Sequence, residues 1–175
     1  MGKRDMTELV LYEDSKRELM IHMIASFYAD HFSISEHVQV EVNGERLSLA
    51  EENLQDWLKE KDTRVFFIME DGLDAGILIL KTHGGSVVWI ENLYVRKEMR
   101  NHGIASRSIA LAEKYAANEM KAPAISMDVI PQNEAAIKLY HSLGYDTISM
   151  VTLRKSISET KRDNSIQFLG YDFFK

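Results

Sequence analysis

Trp89-Ile90-Glu91-Asn92-Leu93-Tyr94-Val95-Arg96-Lys97-Glu98-Met99-Arg100-Asn101-His102-Gly103-Ile104-Ala105 is the stretch that decides the fold. Its first half alternates like a buried strand, with Trp89, Glu91, Leu93 and Val95 facing one way and Ile90, Asn92 and Tyr94 the other. Its second half is polar and basic, and a helical pattern begins at Ile104. A strand therefore runs through a short loop into a helix N-terminus. Unpaired backbone N–H groups and the positive end of the helix dipole collect there, which suits a phosphate. Gly103 lets backbone come close to a ligand, small Ala105 keeps the first turn open, and Arg100 adds a charged fork.

Upstream, Glu8 to Tyr12 reads as a first strand. Leu19, Met20, Met23, Ile24, Phe27 and Tyr28 give Ser15 to Ala29 a helical period, with Ser15 and Glu18 as a capping box. Asp30 to Leu47 has no clean period and reads as a surface loop, with a short strand at Val38 to Val42 and a turn at Asn43-Gly44. Ser48 to Lys61 is a second helix, capped by Ser48 and Glu51. Val65 to Met69 and Ala75 to Lys81 form a hairpin about Glu70-Asp71-Gly72, and Gly84-Gly85 leads into the opening strand. Val65 to Val95 is thus a three-stranded antiparallel meander.

Downstream, Ile104 to Met120 is a long helix stopped before Pro123. Ala124 to Ile130 alternates as a strand. A strand, helix and strand in this order make a crossover unit, so the two strands are parallel neighbours. Asn133 to Ser142 is the next helix, with Gly144 placed for a left-handed C-terminal cap. Asp146 to Ser156 is strand-like, Glu159 to Ser165 is a polar loop, and Ile166 to Phe174 is either a final strand or a docking tail.

The chain has 175 residues, which suits one domain, 1–175, with a full core. A net charge of -6 argues against a general nucleic-acid binder. It is compatible with a cationic substrate such as an amine. The absence of cysteine excludes disulfides, thiolate metal sites and a cysteine nucleophile. The six histidines show no metal-ligand spacing, so no metal is expected. Met1 to Asp5 lack an apolar signal core and no run is long enough to span a bilayer. The expected location is the cytoplasm, with no membrane partner.

A second block, Val129 to Tyr145, carries Asn133 at a helix start, where it can cap the helix or turn its amide to a ligand. Tyr140 is seven residues on, so it returns to the same face about 10 Å further along. With Arg100-x-x-Gly103-x-Ala105, this block resembles the GCN5-related N-acetyltransferase (GNAT) family. The first motif is similar to that family's Gln/Arg-x-x-Gly-x-Gly/Ala loop. Val129, Asn133, Ala136, Tyr140, Gly144 and Tyr145 match its Val-x-x-x-Asn-x-x-Ala-x-x-x-Tyr-x-x-x-Gly-Phe/Tyr pattern at every fixed position. The resemblance covers roughly Val65 to Tyr145.

The resemblance implies an α/β (α+β) fold with a mixed, mostly antiparallel central sheet, splayed parallel strands around the coenzyme A site, and helices on both faces. The pantetheine arm would bond to backbone of Leu93, Tyr94 and Val95. The pyrophosphate would meet the N–H groups of Arg100, Asn101, His102, Gly103, Ile104 and Ala105, and Asn133, Ala136 and Tyr140 would line the cofactor from their helix. Met99 and Asn101 depart from the family, which often has an aromatic and a glycine there. The implied reaction moves acetyl from acetyl-CoA to a primary amine of a small molecule or protein, by direct attack without an acyl-enzyme. Tyr140 matches the family's general acid. Glu91 is the candidate base, similar to the glutamate in the Ile-Glu-Asp-Leu-Tyr-Val run of polyamine-type acetyltransferases. A carboxylate in this apolar run is partly desolvated, which makes it a better proton acceptor; it could instead pair with a cation or bind the amine. Alternatives are a coenzyme-A-binding regulatory module without turnover, or transfer of a longer acyl chain. The aromatic tail from Phe168 to Phe174 suggests a homodimer.

Overall fold

The computed structural model describes residues 6–157 and 165–174. They form two compact units that divide between Asp128 and Val129.

The first unit holds β1 (Thr7–Leu11), α1 (Arg17–Glu36), α2 (Gly44–Lys59), β2 (Thr63–Glu70), β3 (Leu73–Thr82), β4 (Val88–Val95), α3 (Ile104–Asn118) and β5 (Ile125–Met127). The five strands make one sheet in the order β1-β2-β3-β4-β5. The first four are antiparallel, and β5 lies parallel to β4 after the crossover through α3. Asp71 and Gly72, with φ of 50° and 82°, give the two-residue hairpin that suits strand twist. Met20, Met23 and Ile24 of α1 and Leu54 and Trp57 of α2 bury one sheet face, packing on Val65, Phe67, Ile77, Ile79 and Tyr94. On the other face the Tyr115 ring of α3 meets Phe66 edge-on at 5.0 Å. The mixed, mostly antiparallel sheet with helices on both faces is the expected architecture.

Four local expectations need correction in this unit. A 3-10 turn, Asp14–Lys16, precedes α1, and Lys16 occupies the N-cap with no side-chain bond to the helix N–H groups, so Ser15 and Glu18 form no capping box. Helix α1 continues to Glu36 because its serines do not compete with the helix. Ser26 and Ser33 donate to the carbonyls of His22 and Ala29, four residues back, both at 2.8 Å. No strand forms at Val38 to Val42, and Asn43 is a helix cap instead of a hairpin turn. Its Oδ1 accepts from Arg46 N at 3.0 Å, which starts α2 ahead of Ser48. Finally, α3 stops at Asn118 and β5 spans only Ile125–Met127.

Simple alternation also fails in β4. Trp89 stands opposite Lys81, Asn92 opposite Ile79 and Tyr94 opposite Ile77, while Ile90 and Leu93 face Leu80 and Leu78. Lys81, Ile79 and Ile77 share one face, so Trp89, Asn92 and Tyr94 share the α1 face. Glu91 is the extra residue at the register shift, a β-bulge that re-phases the strand.

The second unit contains α4 (Glu134–Ser142) and a two-stranded sheet of β6 (Ser165–Phe168) and β7 (Tyr171–Phe174). The C-terminal segment is thus a hairpin, turning at Leu169 and Gly170 with φ of 52° and 82°. Gly144 has the expected left-handed backbone, φ 95°. Asp146 to Ser156 forms no strand, and Ile148, Met150 and Leu153 are exposed. Alternation needs a pairing partner to become a strand, and β6 and β7 pair with each other. The polar loop read at Glu159 to Ser165 lies outside the described residues, except Ser165, which opens β6. No helix among the described residues is long and apolar enough to cross a membrane.

Candidate functional site

Strands β4 and β5 part company at the bulge. Their parallel pairing runs Val88 to Ile125, Trp89 to Ser126 and Ile90 to Met127, and there it ends, while β4 continues to Val95. Arg96 N–H donates to Ala75 O at 2.9 Å. Alternation then turns the N–H and C=O of Tyr94 and Asn92 toward β3, and those of Leu93 and Val95 toward the open edge. Of the three residues expected to offer backbone, Leu93 and Val95 turn theirs toward the open edge and Tyr94 serves the ladder. The Val95 carbonyl accepts from Arg100 Nε at 2.8 Å, and the Arg100 guanidinium lies 5.5 Å from the Tyr94 ring centre.

The loop after β4 makes one 3-10 turn, Lys97–Met99, and then passes through two left-handed residues, Asn101 (φ 65°) and Gly103 (φ 73°). Asparagine is one of few side chains that tolerate this region. The first N–H groups of α3, at Ile104, Ala105 and Ser106, have no intrahelical partner and point out of its N-terminus. Arg100 is engaged beyond Val95, donating from Nη2 to Asp30 of α1, and Lys97 pairs with the same carboxylate at 2.9 Å. His102 Nδ1 donates to Met99 O at 3.4 Å.

Sequence reading missed Arg107. Its Nη1 donates to the His102 carbonyl at 2.9 Å, its Nη2 to Glu70 Oε1 at 2.6 Å and its Nε to Thr7 Oγ1 at 2.6 Å. Thr7 in turn donates to the other oxygen of buried Glu70. One guanidinium thereby ties the loop to the ends of β1 and β2. The available signal was a charged residue, Glu70, directly after the apolar run Val65 to Met69.

Glu91 projects from the bulge with its side chain 27% exposed. Its Oε1 lies 2.5 Å from His83 Nε2, on the connection between β3 and β4. An ionised carboxylate can only accept, so Nε2 carries the hydrogen. Tyr28 of α1 senses the same carboxylate. Burial first, and the Glu91 charge second, push its phenol up to about 12.

In the second unit, Asn133 is the N-cap of α4, its Oδ1 accepting from Ala136 N at 3.2 Å. Tyr140 is half-buried near the far end of the same helix, its ring 6.2 Å from that of Tyr145. Burial raises its phenol above the ordinary value, so it keeps its proton throughout the neutral range.

A sequence profile of the acetyltransferase (GNAT) family matches residues 22–145, more than half of the chain. Curated protein sequences contain no match. Among solved structures, aminoglycoside N-acetyltransferase AAC(6′)-Iy in complex with CoA superposes with a TM-score of 0.64 at 15% identity, covering 90% of this chain and 99% of that one. A transcriptional regulator from Bacillus halodurans C-125 gives 0.65 at 18% identity, covering 86% and 99%. Ribosomal-protein-alanine N-acetyltransferase from Brucella melitensis biovar Abortus 2308 gives 0.61 at 15%, covering 86% and 100%. Likeness at such identities shows a shared fold, and the profile supplies the family: the chain belongs to the acetyltransferase (GNAT) family.

Proposed function

We propose that this chain transfers an acetyl group from acetyl-CoA to a primary amine by direct attack, without an acyl-enzyme. The observation that carries this reading is the open edge of β4 beyond Ile90, which leads straight into the left-handed loop and the N-terminus of α3. Those residues fit a coenzyme A thioester. The N–H and C=O of Leu93 and the N–H of Val95 turn outward like a strand awaiting a partner, the Val95 carbonyl being held by Arg100, and the N–H groups of Asn101 to Ala105 suit a pyrophosphate. Arg100 holds the loop against α1 through Asp30 and adds positive charge beside it.

When bound, acetyl-CoA supplies an activated acyl thioester. Glu91 takes the proton that the acceptor ammonium must lose before it can attack. The Tyr140 hydroxyl, held protonated by burial, gives a proton to the departing sulfur. A net charge of -6 favours the approach of a cationic amine. One acetyltransferase domain over 1–175 fits a family profile that runs across the division at Asp128.

The test is thiol release from acetyl-CoA against polyamines, amino sugars, amino acids and N-terminal peptides. Turnover with one class is expected. Tyr140→Phe should lower kcat about 100-fold with acetyl-CoA affinity unchanged, and Glu91→Gln should flatten the alkaline rise of the rate. Acetyl-CoA binding with no thiol release from any acceptor would overturn the reading in favour of a binding module.

A further inference from the structure

The connection between β3 and β4 brings a second titratable side chain to the bulge. His83 follows the last β3 residue, Thr82, whose partner is Val88. Its ring leans back along β4, edge-on to Trp89 at 5.8 Å, and ends at Glu91. The contact lies outside the core. His83 is 51% exposed, the sheet pairing does not use Glu91, and the core cluster contains neither residue. What the contact does is orient a carboxylate. With Oε1 occupied by His83, Oε2 is the oxygen left for another partner.

We infer that His83 and Glu91 work as a dyad, in which His83 positions the Glu91 carboxylate at the bulge and carries the acceptor's proton on to solvent. This rests on the reading of Glu91 as the base. The exposure gradient suits it, from 27% at Glu91 to 51% at His83. The proton count closes. The ammonium gives one proton to Glu91, leaving a neutral amine and a neutral carboxyl group. Exchange with water at the exposed ring moves the imidazole proton from Nε2 to Nδ1, and rotation of the neutral carboxyl group brings its proton to the oxygen facing Nε2. That proton crosses to Nε2, which makes an imidazolium and restores the carboxylate. The Nδ1 proton leaves to water, and the ring is again in its resting Nε2–H form, donating to the ionised carboxylate.

Other titratable groups belong to the elements packed against β4. Tyr28 approaches Glu91 from α1. Lys81 shares the β3 face but is held by Glu60 at 2.8 Å. Asp128, exposed, follows the last paired residue of β5. The His83–Glu91 contact is direct.

The experiment compares wild type, His83→Ala, His83→Gln and Glu91→Gln in acetyl-CoA thiol release across pH 6 to 9.5, with and without added imidazole. His83→Ala should lower kcat about 10-fold with the KM for acetyl-CoA unchanged, and imidazole should restore most of the loss. His83→Gln keeps a hydrogen-bond donor but cannot relay, so it should remain impaired. Imidazole 15N NMR of the protein alone should show His83 protonated at Nε2, and Glu91→Gln should shift that tautomer balance. Full activity in His83→Ala, or in His83→Gln with the wild-type pH profile, would overturn the dyad. If Glu91→Gln is impaired while both His83 variants are normal, the dyad fails and Glu91 stands alone as base. If Glu91→Gln is also normal, the base reading itself falls.

Discussion

The two halves of β4 differ in pairing and agree in burial. Val88 to Ile90 carries a ladder on each side, to β3 and to β5. Glu91 to Val95 is paired with β3 alone, yet Asn92, Tyr94 and Val95 are as buried as Ile90. The second half is thus packed like a core strand and hydrogen-bonded like an edge. An ordinary edge strand is exposed and must be guarded against stray pairing. Here the open groups sit on a strand fixed by its side chains, so they can be held in place for a ligand without moving to meet it. One inserted residue, Glu91, marks the change from one regime to the other.

The largest expected effect comes from forcing the second half off β3. A Cβ on Gly76 would lie 2.0 Å from Tyr94 O, 3.0 Å from Tyr94 C and 3.1 Å from Val95 Cα, all of them backbone. Gly76→Ala should therefore cost about 3 kcal/mol or more. In thermal unfolding that is a drop in Tm of roughly 10 °C. Acetyl-CoA affinity should fall with it. Gly85→Ala, where nothing lies within 4 Å, is the control and should stay within about 0.5 kcal/mol. A Gly76→Ala protein as stable as wild type would mean that this half of β4 is free to shift, and the rigid-template argument would fail.

A smaller effect should follow from loosening the loop that the second half leads into. Arg107→Ala leaves the buried Glu70 carboxylate with its bond from Thr7 but without its cation, and releases the His102 carbonyl. We expect a loss of about 2 kcal/mol, less than for a fully buried pair because Arg107 is 34% exposed. Acetyl-CoA affinity should weaken about 10-fold, and Arg107→Lys should recover little, since an ammonium cannot span the three acceptors. Unchanged affinity beside reduced stability would make the brace purely structural.

How much of this was legible follows from the range of each signal. The loop, its helix and the α4 cap are written in adjacent residues, so Arg100 to Ala105 and Asn133 to Tyr140 could be placed from sequence. The bulge could not, because a strand pattern assumes strict alternation and one extra residue inverts every face beyond it. That is why Asn92 was set on the wrong face relative to Trp89. Asn43 was read as a turn residue and Ser48 as the cap, because asparagine suits both roles locally, and the structure starts the helix at Asn43. Arg107 was invisible because its partners, Glu70 and Thr7, lie 37 and 100 residues away. The apolar alternation of Asp146 to Ser156 misled for the opposite reason: it is a local signal whose realisation depends on a distant partner.

An effect confined to alkaline pH tests which way the bulge points. Tyr28 lies on α1, and its phenol is pushed up to about 12 by burial and, secondarily, by the Glu91 charge. A folded-state pKa above the unfolded value of about 10 stabilises the fold fully below pH 10. That contribution is lost as the pH rises toward 12. Wild type should therefore lose about 2 kcal/mol across that window that Tyr28→Phe does not lose. Urea unfolding at pH 8 and pH 11.5 measures the difference, and the subtraction removes the other tyrosines. At pH 8 the two proteins should agree within about 0.5 kcal/mol. Glu91→Gln then sharpens the comparison. Removing the carboxylate charge should lower the Tyr28 titration midpoint by less than burial raised it. A midpoint that does not move would mean the carboxylate faces away from α1, and the bulge would no longer account for where the second half of β4 presents its chemistry.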